Sequence, residues 1–173
     1  AIYPHIQSMI ARGSVLRPDL GFTPVTITPS IMASFELEGD RGVLVLNVDG
    51  PSGTVSVAQR VSHPSADEAT GLAISPGGDS VYATSDSDGL VVVYARDLLT
   101  GLLSPVQSLG VTASNVITPI GITVSPDGKN VYVAGADSET LGAFGRDLGT
   151  GVLTFLATYR AVDTLDYLSL GGG

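Results

Sequence analysis

The sequence predicts an all-β protein made of repeated antiparallel sheets, on three observations. The run Gly71-Leu72-Ala73-Ile74-Ser75-Pro76-Gly77-Gly78-Asp79-Ser80-Val81-Tyr82 returns 50 positions later, without a gap, as Gly121-Ile122-Thr123-Val124-Ser125-Pro126-Asp127-Gly128-Lys129-Asn130-Val131-Tyr132. Arg96-Asp97-Leu98-Leu99-Thr100-Gly101 likewise returns as Arg146-Asp147-Leu148-Gly149-Thr150-Gly151. A fixed period in this range marks a repeat architecture. Within each copy, apolar residues alternate with period two, the strand signature. The 173 residues include 22 Gly and 10 Pro, which break the chain into short apolar runs separated by turns.

Residues 1–23 fit the pattern poorly and read as an N-terminal strand or tail. A degenerate first unit follows at 24–61. In it Val25-Thr26-Ile27-Thr28 is a strand, and Pro29-Ser30 stands where the repeats have Ser-Pro. Phe35 to Gly42 is a polar connection, and Val43 to Leu46 is the third strand. Asp49-Gly50-Pro51-Ser52-Gly53 matches the later Asp-x-x-Thr-Gly turn with Ser for Thr, and Val55 to Val61 is the fourth strand.

The second unit, 71–110, and the third, 121–160, share one design. In the third, Gly121 to Ser125 alternates Ile122 and Val124 against Thr123 and Ser125. Ser125-Pro126-Asp127-Gly128 is a turn, because Pro presets φ at the first corner and Gly accepts positive φ. Val131 to Ala134 is a strand rich in β-formers. Asp137-Ser138-Glu139 connects it to a strand at Leu141 to Phe144. Arg146 to Gly151 is a second turn, and Val152 to Tyr159 the last strand. Residues 161–173 end in Gly171-Gly172-Gly173 and read as a C-terminal tail.

Each unit is thus a four-stranded antiparallel meander. Meanders at this spacing are blades of a β-propeller, in which four to eight blades close a ring. About three blades fit in this chain. A β-sandwich is the alternative architecture, but it gives no reason for a gapless repeat.

The motif at 121–134, followed by Phe144-Gly145-Arg146-Asp147-Leu148-Gly149-Thr150-Gly151-Val152-Leu153-Thr154, closely resembles the YVTN-type repeats of the lactonase-like, 6-phosphogluconolactonase-like β-propeller family. The resemblance covers about 24–160, strongly in two units and weakly in the first. It implies the fold. It does not by itself imply activity, because these residues are turns and strand fillers. Family members usually have about seven blades, so three leave open sheet edges, which invite pairing. The chain is then part of a longer propeller, or one of two copies closing a six-bladed ring, or a subunit whose edges neighbours cover in a large complex.

Composition narrows the function classes. The net charge is −9, with Lys129 the only lysine, which argues against nucleic acid. A basic protein partner or a cation is the natural counterpart. With no cysteine there is no disulfide, thiolate site or Cys nucleophile. No apolar run reaches the roughly 18 residues of a transmembrane segment. The reading favours a periplasmic or extracellular location, with a cytoplasmic one open.

Placed on the blade scheme, the charges separate. One end collects Glu38, Asp40, Asp67, Glu68, Asp86, Asp88, Asp137 and Glu139, together with His63. The other end holds the Ser-Pro and Asp-x-x-Thr-Gly turns, where Asp79, Asp97, Asp127 and Asp147 are offset by Arg96, Lys129 and Arg146. The acidic end is the candidate binding surface, for a basic partner or for Ca²⁺ through oxygen ligands. Asp86-Ser87-Asp88-Gly89 resembles a fragment of a calcium loop without its distal ligands.

Catalytic candidates are few. His63, beside Pro64, is the one candidate general base, with Asp67 to orient it. Ser75 and Ser125 precede Pro in turns and lack the strand-to-helix elbow of a hydrolase nucleophile. The recurring Arg-Asp pairs are expected to fix their own turns, and Tyr82 and Tyr132 to pack between blades. The sequence reading is a non-catalytic scaffold or protein-interaction module. The competing class is a lactone hydrolase of the 6-phosphogluconolactonase type, which a shortage of basic residues on the acidic end, Arg41 excepted, disfavours for a phosphosugar.

Overall fold

The computed structural model describes residues 33–34, 43–49, 51–61 and 69–160. The strand expected at 25–28, the expected tails and Arg41 lie outside the described residues. Among the described residues, ten strands follow in chain order: β1 Val43–Val48, β2 Val55–Val61, β3 Ala69–Ile74, β4 Ser80–Ser85, β5 Leu90–Arg96, β6 Leu103–Gly110, β7 Pro119–Val124, β8 Asn130–Gly135, β9 Thr140–Arg146 and β10 Leu153–Arg160.

They form two four-stranded antiparallel sheets, β3-β4-β5-β6 and β7-β8-β9-β10, and a two-stranded sheet β1-β2. These are consecutive meanders of a partial β-propeller. Val45↔Gln59, Val93↔Gln107 and Ala143↔Ala157 are matching pairs, each followed by a register shift. The third and fourth strands of all three units therefore share one register and one bulge.

The period-two pattern becomes two packed layers. Val81, Ala83, Val92, Tyr94 and Leu103 face the β1-β2 sheet and bury Val43 with them. Tyr82, Val91 and Val93, on the alternate positions, face the last sheet and pack on Val131, Val133, Phe144 and Leu153. The middle sheet is buried on both faces, which is why β5 reads Leu-Val-Val-Val-Tyr without polar alternation. Each fully buried Val or larger apolar side chain contributes about 1.5–3 kcal/mol.

The sheets fan out from their first strands. β3 and β7 lie so close that a Cβ on Gly71 would sit 2.9 Å from the Ile120 carbonyl oxygen and 2.8 Å from Thr84 Oγ1. Thr70 Oγ1 donates to the Pro119 carbonyl at 2.8 Å across the same gap. Glycine at 71 lets the inner strands meet without a side chain between them.

Candidate functional site

The meander puts connections of two kinds at opposite ends. One end holds the turn 86–89, the link 111–118 between sheets, and the turn 136–139. The link ties the two turns together. Val111 N donates to the Gly89 carbonyl at 2.9 Å. Ala136 N donates to the Thr118 carbonyl at 3.0 Å, and Ile117 N donates to Ser138 Oγ at 3.0 Å. Thr140 Oγ1 donates to the Asn115 carbonyl at 2.8 Å. Asn115, Thr118 and Glu139 all take left-handed φ, at 59°, 54° and 52°. Non-glycine residues there store strain that the surrounding bonds hold in place.

Of the acidic residues expected on this end, Asp86, Asp88, Asp137 and Glu139 are carried by these two turns. Their carboxylates are partly engaged locally. Asp86 Oδ1 accepts from Ser87 N, Asp88 Oδ2 from Ser85 Oγ at 3.3 Å, and Asp137 Oδ2 from Thr118 Oγ1. Glu38, Asp40, His63, Asp67 and Glu68 lie outside the described residues. Among the described residues, no group of three or more His, Asp or Glu could hold a metal ion, so Asp86 and Asp88 gather no further such ligand there.

The opposite end carries the Asp-x-x-Thr-Gly turns. Asp97 Oδ1 accepts from Leu99 N at 2.9 Å, Thr100 N at 2.7 Å and Thr100 Oγ1 at 2.9 Å. Asp147 Oδ1 accepts the same trio from Gly149 and Thr150. Backbone N–H donation from Thr100 lowers the Asp97 pKa first, and the Thr100 hydroxyl next. For Asp147 the Thr150 hydroxyl leads.

The arginine beside Asp147 does something different from the expected turn-fixing. Arg146 is 9% exposed and reaches back to the preceding sheet. Its Nε donates to Tyr82 Oη at 2.6 Å. Its Nη2 donates to Ser80 Oγ at 2.9 Å and to both Asp79 carboxylate oxygens at 3.0 Å. Tyr82 Oη in turn donates to the Gly151 carbonyl at 3.0 Å. Within its own blade, the guanidinium donates from Nη1 to the Gly128 carbonyl at 3.3 Å. Burial pushes the Asp79 carboxyl up, but the Ser75 hydroxyl and the Arg146 charge outweigh it and hold its pKa below the ordinary value. Burial pushes the Tyr82 phenol up. The cluster is a clasp between two blades.

A second clasp, invisible to the sequence reading, uses glutamine. Gln107 Oε1 accepts from Leu153 N at 2.8 Å, and its Nε2 donates to the Leu153 carbonyl at 3.1 Å. Gln59 does the same to Leu103, at 2.7 and 2.8 Å. The recurrence of glutamine at matching strand positions was the available signal, but Gln59 lies in the degenerate unit and the pair is spaced 48 apart.

Comparison with known proteins agrees with this geometry. The family described as "Lactonase, 7-bladed beta-propeller" matches residues 35–167. The periplasmic gluconolactonase PpgL of Pseudomonas aeruginosa is similar in structure, with a TM-score of 0.61 at 25% identity over 68% of this chain and 33% of that one. A candidate 6-phosphogluconolactonase of Bacteroides fragilis has a TM-score of 0.61 at 24% identity, over 68% of this chain and 33% of that one. A Lactobacillus plantarum protein gives 0.61 at 20% identity, over 68% and 35%. The chain thus spans about a third of the length of these structures. No curated protein matches its sequence. Among the described residues, no helix is long and apolar enough to cross a membrane.

Proposed function

This chain belongs to the lactonase family of seven-bladed β-propellers, and from that premise we propose that it supplies blades to a propeller that hydrolyses a sugar lactone. The observation that carries the reading is the family match across residues 35–167. The Pseudomonas aeruginosa relative, named a periplasmic gluconolactonase, supports an aldonolactone as the substrate class and a periplasmic location.

The chemistry asks for little. Water adds to the lactone carbonyl, the ring C–O bond breaks, and the products are a hydroxy carboxylate and one proton. A base near the carbonyl removes a proton from the water, and hydrogen-bond donors stabilise the oxyanion. In this chain the sequence offers His63 as the candidate base, with Asp67 four residues on as its candidate orienting carboxylate. The register also places the exposed Arg160, opposite Thr140, and Arg60, opposite Leu44, towards this end, so neutral and phosphorylated lactones are both substrates to compare.

The test is proton release from gluconolactone and its 6-phospho form, measured against spontaneous hydrolysis. Turnover of the neutral lactone, reduced about 10²–10⁴-fold by His63→Ala, is the expected result. Turnover no faster than the spontaneous rate on either lactone rules the reading out.

A scaffold role is the second reading. It is supported by the local bonds that occupy Asp86, Asp88 and Asp137, which leave these carboxylates serving their own loops. Under that reading the acidic end docks a basic partner, and lactone turnover is absent.

A further inference from the structure

We propose that the outward face of the third blade, β7 to β10, receives a further four-stranded blade that carries a carboxylate, not an arginine, at the position Arg146 occupies.

At the joined interface the receiving blade presents Asp79, Ser80, Tyr82 and Gln107, and the incoming blade presents Arg146 and the backbone of Leu153. The 50-residue repeat and the strand register give the matching positions on the open face. Tyr132 stands for Tyr82 and Asn130 for Ser80. Lys129 stands for Asp79, and Ala157, which pairs with Ala143 as Gln107 pairs with Val93, stands for Gln107. The aspartate has moved within the turn. Asp127 takes the place of Gly77, where its Oδ1 accepts from Ser125 Oγ at 2.6 Å and from Lys129 N at 3.1 Å. Asp79 accepts from the equivalent Ser75 hydroxyl at 2.5 Å while also holding Arg146. The third blade therefore keeps the turn-capping carboxylate and frees the clasp position for a cation.

Lys129 Nζ lies 4.0 Å from Asp127 Oδ2, in a loose and exposed pair. An incoming arginine would meet this ammonium where the joined interface has a carboxylate, and like charges in contact select against a partner. An incoming carboxylate would meet its complement. The apolar part of the dock is continuous with the joined one. Leu141 is 42% exposed and Tyr159 56%, whereas Val91, the counterpart of Leu141, is 0% exposed beneath the third blade. The leading edge of the chain is also distinct. Asp49, Asp97 and Asp147 each donate N–H to the residue closing their turn, which aligns the turns and puts Val48 where the later units have Arg96 and Arg146. By sequence, a second copy has valine, not a charged residue, at this register position, so it lacks the charged half of a head-to-tail clasp. The partner is a blade of different sequence with an acidic residue at that point.

Light scattering on the whole chain tests the charge rule, with copies of the chain made to present the charge. Val48→Glu is expected at least to double the mass at low salt, and to lose the gain on adding Lys129→Glu. Val48→Arg is expected to keep the wild-type mass, and to gain mass only when mixed with Lys129→Asp copies. That reversed pair keeps the test decisive if Val48→Glu loses the wild-type circular dichroism spectrum. Equal association by Val48→Arg and Val48→Glu, or no mass gain in any of these combinations, overturns the proposal.

Discussion

Arg146 and Tyr82, 64 residues apart in the chain, share a 2.6 Å hydrogen bond from the guanidinium Nε to the phenol oxygen. The bond joins the third strand of one blade to the second strand of the blade before it. A carboxylate, two hydroxyls and one carbonyl satisfy a cation that is nearly withdrawn from water, and the Tyr82 hydroxyl passes its own proton on to the Gly151 carbonyl. Blade order is therefore held by a polar clasp as well as by apolar packing.

Arg146→Met removes the charge while keeping an apolar stem. It leaves Asp79 without its partner across the blades and Tyr82 with only its bond to the Gly151 carbonyl. Breaking a buried ion pair costs about 3–5 kcal/mol, and the exposure of Asp79 to water places the expected loss near the lower end, about 3 kcal/mol. Tyr82→Phe, which removes one acceptor and one donor, is expected to cost about 1–2 kcal/mol. Urea unfolding of both variants measures this, and wild-type stability in Arg146→Met would mean that the clasp contributes nothing.

Gln107→Ala deletes the two-pronged bond to the Leu153 backbone and leaves a buried N–H and C=O to find water. The expected loss is about 1–3 kcal/mol. Gln59→Ala is expected to act in the same direction at the other junction. Hydrogen exchange at the Leu153 amide offers a local readout, since Gln107→Ala is expected to speed it and Gln59→Ala to leave it unchanged.

Gly151 and Gly53 occupy the same turn position with φ of 77° and 68°. A Cβ at 151 would sit 2.5 Å from Ser80 Oγ on the neighbouring blade, whereas one at 53 meets nothing within 4 Å. Alanine at either site carries the left-handed penalty of about 1–2 kcal/mol. Gly151→Ala is expected to cost measurably more, because it also pushes on the clasp. Equal midpoints in urea for the two variants would show that the inter-blade contact is soft.

The Asp79 pKa is lowered from its ordinary value of 3.8 in the folded protein. A group depressed by folding adds stability that is fully present above the ordinary value. That stability is lost as pH falls through the folded value. Stability is therefore expected to decline below about pH 4, and Asp79→Asn to flatten part of that decline while lowering stability at neutral pH. Asp97, Asp127 and Asp147 are lowered in the same direction and contribute with the same sign. An acid limb unchanged in Asp79→Asn would remove Asp79 from the account.

The candidate acidic end was partly legible in advance. Strand order in a meander decides which turns share an end, so Asp86, Asp88, Asp137 and Glu139 could be grouped from spacing alone. That the link 111–118 staples their two turns could not, because those bonds run through backbone carbonyls and Ser138, which carry no distinctive pattern. The Arg-Asp repeat drew attention to the right residues but suggested the wrong partner. Asp147 does fix its own turn, as local sequence allows. Arg146 has a side chain long enough to leave its turn, and its partners lie in another blade.

The sequence by itself determined the strand pattern, the turns and the repeat, since period-two alternation, proline and positive-φ glycine act over a few residues. Tertiary structure alone decided which side chains join the blades. Arg146 with Asp79 and Tyr82, and Gln107 with Leu153, meet only because neighbouring sheets stack face to face, a relation that depends on the packing of surfaces far apart in the chain.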